Sequence, residues 1–260
     1  LIGTTYPIFL EVISSEKISV GPPFYNKLII PFLIPFLLAM AIGPKLNWIK
    51  SDLKKKFYLI LFLIISLLLS VIIIKSLNIN FLVNTILVTS AFYLFFITLR
   101  DFFIKGFKNL SQNLTHFGFS LLILSILFNN IFSTEIITNL KIGETFKTDK
   151  YKIIFENIEQ KDEQNFKAII GKFNIENSDG KTEILKPELR IYNQPTIVTS
   201  EADIKTNFLV DKFITMNLVQ NKDYFNIRYQ IKPFMLWIWF SVLLISFGGL
   251  ISLLKKKYEV

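Results

Sequence analysis

Five stretches of this 260-residue chain, 28–44, 57–74, 81–99, 114–132 and 234–254, each run for 17 to 21 residues without Asp, Glu, Lys or Arg. At a rise of about 1.5 Å per residue, about 20 residues of helix cross the roughly 30 Å hydrocarbon core of a bilayer. Uncharged runs of that length, repeated and bracketed by charges, predict an α-helical polytopic membrane protein. A shorter apolar run precedes Glu11 and reads as the end of another transmembrane helix over 1–13. The first residue is Leu rather than Met, so a fragment or the product of a split gene is expected. Pro31 and Pro35 fall inside the first complete run. Membrane helices tolerate proline where neighbours satisfy the freed carbonyls, which predicts a kink there and no break.

Charge gives direction. Positions 45–56 hold five lysines (Lys45, Lys50, Lys54, Lys55 and Lys56) against Asp52, a net of +4. Positions 100–108 and 255–260 each net +2, whereas 133–232 balances 15 basic against 15 acidic residues. Under strict alternation every strongly basic segment falls on one side, the positive-inside pattern. The carboxyl end is then cytoplasmic, or on the matrix side if the chain is organelle-encoded. The net charge of +9 is therefore topological and argues against nucleic acid as a partner. Cysteine is absent, which excludes disulfides and thiolate metal sites.

The opposite side receives 14–26 as an outer loop and 133–232 as a folded domain. In that domain YKIIFENI, FKAIIGKFNIEN, FITMNLV and YFNIRYQI mix β-branched and aromatic residues with partial alternation. The turn signals SDGK, NQP and NKD separate them, so a mainly antiparallel β domain is expected, inserted between helices over 27–132 and 233–254.

Few residues offer chemistry. His116, the one histidine, lies near the start of NLTHFGFSLLILSI. An intramembrane imidazole can bind a haem iron through one nitrogen while the other fixes its orientation, or it can pack, bond a neighbouring helix, or carry a proton. Gly118, two residues on, would admit a flat macrocycle or another helix close to the backbone. In the outer loop, Gly21, Pro22 and Pro23 stiffen the chain and Phe24 and Tyr25 supply interfacial aromatics. Either they anchor a turn or they form part of an outer-face contact surface. Glu188, Arg190 and Glu201 are the outer-domain candidates; they read equally as salt-bridged β-edge residues. Trp237 and Trp239 suit the outer interface, and Gly248 with Gly249 suits close helix packing. There is no phosphate-binding glycine loop, no HExxH and no nucleophile spaced for a histidine base. A transporter subunit and a cofactor-free structural subunit remain alternative readings.

Four motifs together, LIGTTYPIFLEVI…KISVGPPFYN, NLTHFGFSLLILSI, LKPELRIYNQPTIVTSEADIKT and IKPFMLWIWFSVLLISFGGLISLL, resemble the carboxyl-terminal portion of the cytochrome c maturation protein F family, CcmF. The resemblance implies a segment of the haem lyase that attaches haem to apocytochrome c, not catalytic alone. It implies a membrane b-type haem with His116 as one axial ligand of its iron, the second ligand coming from an upstream portion. It also implies a transient substrate haem. The implied partners are that upstream portion, a CcmH-like subunit, a haem-loaded chaperone and apocytochrome c. The implied location is the bacterial inner membrane, or the mitochondrial inner membrane for an organelle-encoded chain. The family's tryptophan-rich segment, its outer-face histidines and its earlier membrane histidine have no counterpart in these residues.

Overall fold

A computed structural model describes residues 2–14, 21–46, 57–77, 81–105, 109–219 and 222–258. The chain divides into two units, Leu1–Leu124 with Phe240–Val260, and Ser125–Trp239. The helices are α1 (Ile2–Ser14), α2 (Pro22–Ile42), α3 (Phe57–Leu77), α4 (Phe81–Lys105), α5 (Leu110–Phe132) and α6 (Met235–Tyr258). The last five are long and apolar enough to cross a membrane.

Within the helical unit α4 is central. Leu87, Val88, Ala91, Phe92, Tyr93, Leu94 and Ile97 are all buried. By contrast α3 exposes Ile60, Leu63, Ile64, Leu67, Leu68 and Ile72, as a lipid-facing helix should. Small hydroxyls join the neighbours of α4 to it. Ser70 Oγ on α3 and Thr89 Oγ1 on α4 lie 2.6 Å apart, and Thr98 Oγ1 on α4 and Ser120 Oγ on α5 lie 2.7 Å apart. Such interhelical bonds contribute about 0.6 kcal/mol each in a bilayer, so they fix register more than they hold the bundle together. Phe62 stacks on Phe96 across α3 and α4, and Phe36 meets Phe119 edge-on across α2 and α5.

Several helix limits differ from the apolar runs. Helix α2 begins at Pro22, inside the segment 14–26 expected as an outer loop. The reason is local: Gly21 is extended at φ −106°, its carbonyl accepts the Phe24 N–H at 3.1 Å, and proline occupies the first helical turn, where no donor is lost. Pro31 and Pro35 leave α2 continuous. Helix α4 continues past Leu99 to Lys105, so Arg100 and Asp101 are helical rather than loop residues. Helix α5 starts at Leu110, after Asn109 at φ +66°, four residues before its apolar run. The remainder of the expected outer loop (15–20), most of the basic inner loop (47–56), 106–108 and the end of the tail (259–260) lie outside the described residues.

The second unit is an antiparallel β structure of two sheets. Its strands are β1 (Thr134–Leu140), β2 (Thr145–Lys147), β3 (Tyr151–Asp162), β4 (Phe166–Asn177), β5 (Thr182–Leu185), β6 (Glu188–Tyr192), β7 (Val198–Glu201), β8 (Asp203–Thr206), β9 (Val210–Leu218) and β10 (Phe225–Pro233). One sheet has the order β1-β10-β9-β8; the other runs β2-β3-β4-β6-β7, with β5 also pairing β4. Alternate residues of both point into one core: Ile153, Phe155, Phe173, Ile175 and Leu189 from one, Ile214, Met216, Ile227 and Tyr229 from the other. The four segments expected as strands lie in β3, β4, β9 and β10, and SDGK and NQP form the turns after β4 and β6. Entry and exit strands pair directly, Thr134 opposite Ile231. At that junction the Asn129 side-chain amide donates to the Pro233 carbonyl at 2.6 Å. Phe234 adopts φ +61°, a conformation held by its N–H to Leu209 O at 2.7 Å and by ring contact with Phe128.

Candidate functional site

The spacing of α5 sends its residues to three neighbours. Phe117 packs on Phe95 and Phe102 of α4, Phe119 on Phe36 of α2, and Ser111 with Thr115 on α6. His116 is half-buried and lines a cavity of about 20 Å³ between α2, α4 and α5. Lys45, Thr98, Asp101 and Asn113 line it too. Lys45 Nζ forms an ion pair with Asp101 Oδ2, their side chains 7% and 15% exposed. Arg100 Nη1 lies 3.8 Å from Asp101 Oδ1, and the guanidinium sits 3.7 Å above the Tyr58 ring. A buried ion pair is retained only with strong compensation, and intramembrane charges by default mark a site. The single imidazole therefore stands in a niche that also holds a buried ion pair.

The niche has room for about one water molecule, well below the roughly 300–1,000 Å³ of a pocket for a drug-sized ligand. It does not itself house a macrocycle. It sets a carboxylate, that of Asp101, in one niche with the histidine, and a carboxylate is among the usual groups that fix the second nitrogen of a metal-ligating imidazole. The donor set fits one axial position on a haem iron, since the chain has one histidine and no cysteine. Among the described residues no three His, Cys, Asp or Glu side chains gather into a metal site.

Gly118 faces elsewhere. A Cβ on it would meet Ile245 Cγ1 and Leu244 Cβ at 3.0 Å, so of the two expected approaches, a macrocycle or another helix, α6 takes the space. Gly248 supports the same approach from the other side, with Ser111 Oγ donating to its carbonyl at 2.7 Å. Gly249 has nothing within 4 Å of its Cβ position.

At the start of α2, Phe24 stacks on Tyr6 of α1 and meets Tyr25 edge-on, each with ring centroids 5.6 Å apart. Gly21 is the helix cap, with Pro22 and Pro23 at the first two helical positions. In the β unit, Glu188 and Glu201 are direct cross-strand partners on β6 and β7. Arg190 Nε donates to Glu188 Oε2 at 2.9 Å and its guanidinium lies over the Phe166 ring at 5.0 Å. That carboxylate and Tyr192 hold the Arg190 pKa above its ordinary value, with Glu201 adding a smaller push. Arg190 thus offsets two like charges on the sheet face opposite the core, a structural duty sufficient to account for all three residues. Lys45 and Asp101 escaped the sequence argument because both were counted as loop charges. The available signal was Asp101, the one acid in the basic segment 100–108, with Lys45 standing three residues past the end of the neighbouring α2.

These features define a class: a polytopic helical membrane protein carrying a β-sandwich between two of its spans. The particular kinship follows from comparison. Residues 131–233 match the family model described as CcmF C-terminal beta-sandwich. The whole chain aligns with the cytochrome c-type biogenesis protein CcmF of Pseudomonas fluorescens at 29% identity, and with CcmF of Escherichia coli at 24%, covering 42% and 41% of those proteins. NrfE of Haemophilus influenzae, also a cytochrome c-type biogenesis protein, is 27% identical over 99% of the chain and 42% of its own length. A solved structure titled Cytochrome c Heme Lyase CcmF superposes with a TM-score of 0.69 at 20% identity, covering 96% of this chain and 42% of that one. The chain matches the CcmF family, and it spans about two fifths of the length of the curated relatives it matches.

Proposed function

We propose that this chain is the carboxyl-terminal part of a haem lyase for cytochrome c maturation, seated in a bacterial inner membrane. His116 supplies one axial ligand of a membrane b-type haem, and the β-sandwich forms outer-face scaffold for covalent haem attachment to apocytochrome c. The observation that carries this reading is His116: the chain's one imidazole, half-buried on a helix of a chain that aligns throughout with CcmF proteins, with an ion pair and two hydrogen-bonding side chains around it. Bound there, the haem would supply an electron-transfer centre whose potential follows its axial ligands and burial. The chain's own residues do the rest. His116 would hold one coordination position, Asp101, Thr98 and Asn113 line the same niche, and the apolar faces of α2, α4 and α5 limit access of water to it. The second ligand comes from an upstream portion. A CcmH-like subunit, a haem-loaded chaperone and apocytochrome c complete the assembly, in which thioether formation depends on holding thiols against vinyls.

The test is absorption spectroscopy of the purified assembly. His116→Ala should remove or shift the b-type haem bands with the polypeptide still present at wild-type level. A spectrum and haem content identical to wild type would sink the ligand assignment. Orientation has its own check. In a chain without cysteine, Ser178→Cys should react with an impermeant thiol reagent from outside, and Lys54→Cys only after the membrane is opened; the reverse pattern defeats the proposed topology.

A further inference from the structure

The β8–β9 hairpin has an unusual tip. Thr206 pairs with Asp211, and the Asn207 N–H donates to the Val210 carbonyl at 3.0 Å, which leaves Phe208 and Leu209 as its two end residues. Two-residue hairpin tips favour Asn, Asp and Gly, residues suited to tight turns and to water. Here the tip carries two large apolar side chains, 64% and 52% exposed. Turn chemistry does not explain them, and a local choice that contradicts its own element points to a use.

The tip is also held in a defined place. The Phe234 N–H donates to Leu209 O at 2.7 Å, and Trp237 Nε1 donates to Phe208 O at 3.1 Å. The Phe208 and Trp237 rings meet edge-to-face with centroids 5.0 Å apart. Trp237 belongs to the first turn of α6, whose membrane-spanning stretch of 20 residues runs Met235–Leu254. That stretch is about 30 Å long, the thickness of the hydrocarbon core, which puts Met235 near its boundary and Trp237 roughly 3 Å further in. A ring whose centroid lies 5.0 Å from that of Trp237 is within about one ring's width of that boundary. Nearby Leu236 and Trp239 are exposed as well, so the apolar surface of α6 continues onto the hairpin.

The geometry points to a lipid-contacting hairpin: Phe208 and Leu209 enter the outer interface of the bilayer beside α6, so the β-sandwich is held to the membrane at this tip as well as through its two connecting chains. The occupant is lipid, since the apolar surface is continuous with a spanning helix and the tip from Asn207 to Val210 bears no charge. The Trp237 N–H, spent on Phe208 O, is the polar handle that interfacial tryptophans require.

This chain has no cysteine, so once any cysteines of the other polypeptides in the assembly are replaced a nitroxide can be placed singly at Phe208→Cys or Leu209→Cys, with Ser178→Cys as the aqueous reference and Trp239→Cys as the reference inside the span. The purified assembly is reconstituted into phosphatidylethanolamine–phosphatidylglycerol vesicles. Relaxation by oxygen, which partitions into hydrocarbon, is compared with relaxation by a water-soluble nickel chelate. The oxygen-to-chelate ratio at both tip positions should exceed that of Ser178→Cys severalfold and approach that of Trp239→Cys. A ratio equal to the Ser178 reference means water covers the tip, and protection from both reagents means another polypeptide does; either result overturns the proposal. Leu209→Cys keeps the test decisive if loss of the Phe208 ring perturbs the junction.

Discussion

Phe155→Ala should destabilise the β-sandwich by about 3–5 kcal/mol, the usual cost of deleting a fully buried phenyl ring. Phe155 on β3 lies directly opposite Phe173 on β4, the rings stacked at 4.3 Å and 18°, and both side chains are 0% exposed. Phe225 of the facing sheet meets Phe155 edge-on at 5.6 Å, so the ring bridges the two sheets. Deleting it removes the cross-strand stack and the cross-sheet contact together, leaving a void that the well-filled neighbours Ile153, Ile175 and Met216 cannot close. A domain of this size has a total stability of roughly 5–15 kcal/mol, so the loss is a large share of it. Urea-dependent proteolysis of the intact chain in detergent would read the change. Ile184→Ala, at a half-exposed position on β5, should leave the urea midpoint nearly unmoved. Equal midpoints for both variants would contradict a core centred on these rings.

Gly248→Ala should cost about 1–3 kcal/mol and Gly249→Ala close to nothing, although the two glycines are adjacent. A Cβ at Gly248 would overlap Thr115 Oγ1 and lie 2.9 Å from Ser111 O and 3.0 Å from Thr115 N. The hydroxyl could rotate away, but the two backbone atoms can yield only if α5 and α6 separate, which breaks the Ser111–Gly248 hydrogen bond. At Gly249 the same methyl meets nothing within 4 Å. Thermal aggregation of the two variants in one detergent gives the comparison, and equal melting would show that α6 does not approach α5 through Gly248. Since α5 carries His116, the proposed function adds a consequence: Gly248→Ala should weaken haem retention where Gly249→Ala does not.

The membrane helices were legible because lipid selects composition over long runs, and five uncharged stretches leave little choice of class. Their ends were less legible because hydrophobicity marks where lipid begins and ends, whereas backbone hydrogen bonding marks the helix. Arg100 and Asp101 closed the apolar run of α4, yet the helix continues through them, held by Lys45 and the Tyr58 ring. Pro22 and Pro23 looked like loop residues but are well suited to a first helical turn. The strands of the β unit could be found from their β-branched and aromatic content. Their order could not, because pairing β1 with β10 and placing β7 in the opposite sheet from β8 depends on contacts between residues far apart in the chain. His116 was conspicuous by being unique, while Lys45, just past the end of α2, and Thr98 and Asp101 of α4 are polar neighbours that only the folded bundle brings near. Of the two approaches that Gly118 left open, a macrocycle or another helix, only the fold selects the helix, and it is one more than a hundred positions later.

One consequence follows from the direct pairing of β1 with β10. Antiparallel partners sit about 5 Å apart at their Cα atoms, so the chain leaves the helices and returns to them at nearly the same point. The sandwich is therefore a cassette: a graft of any size whose two stumps already touch could stand in its place without stretching α5 or α6. Lineages could enlarge, trim or exchange this module while the bundle that carries His116 keeps its own geometry.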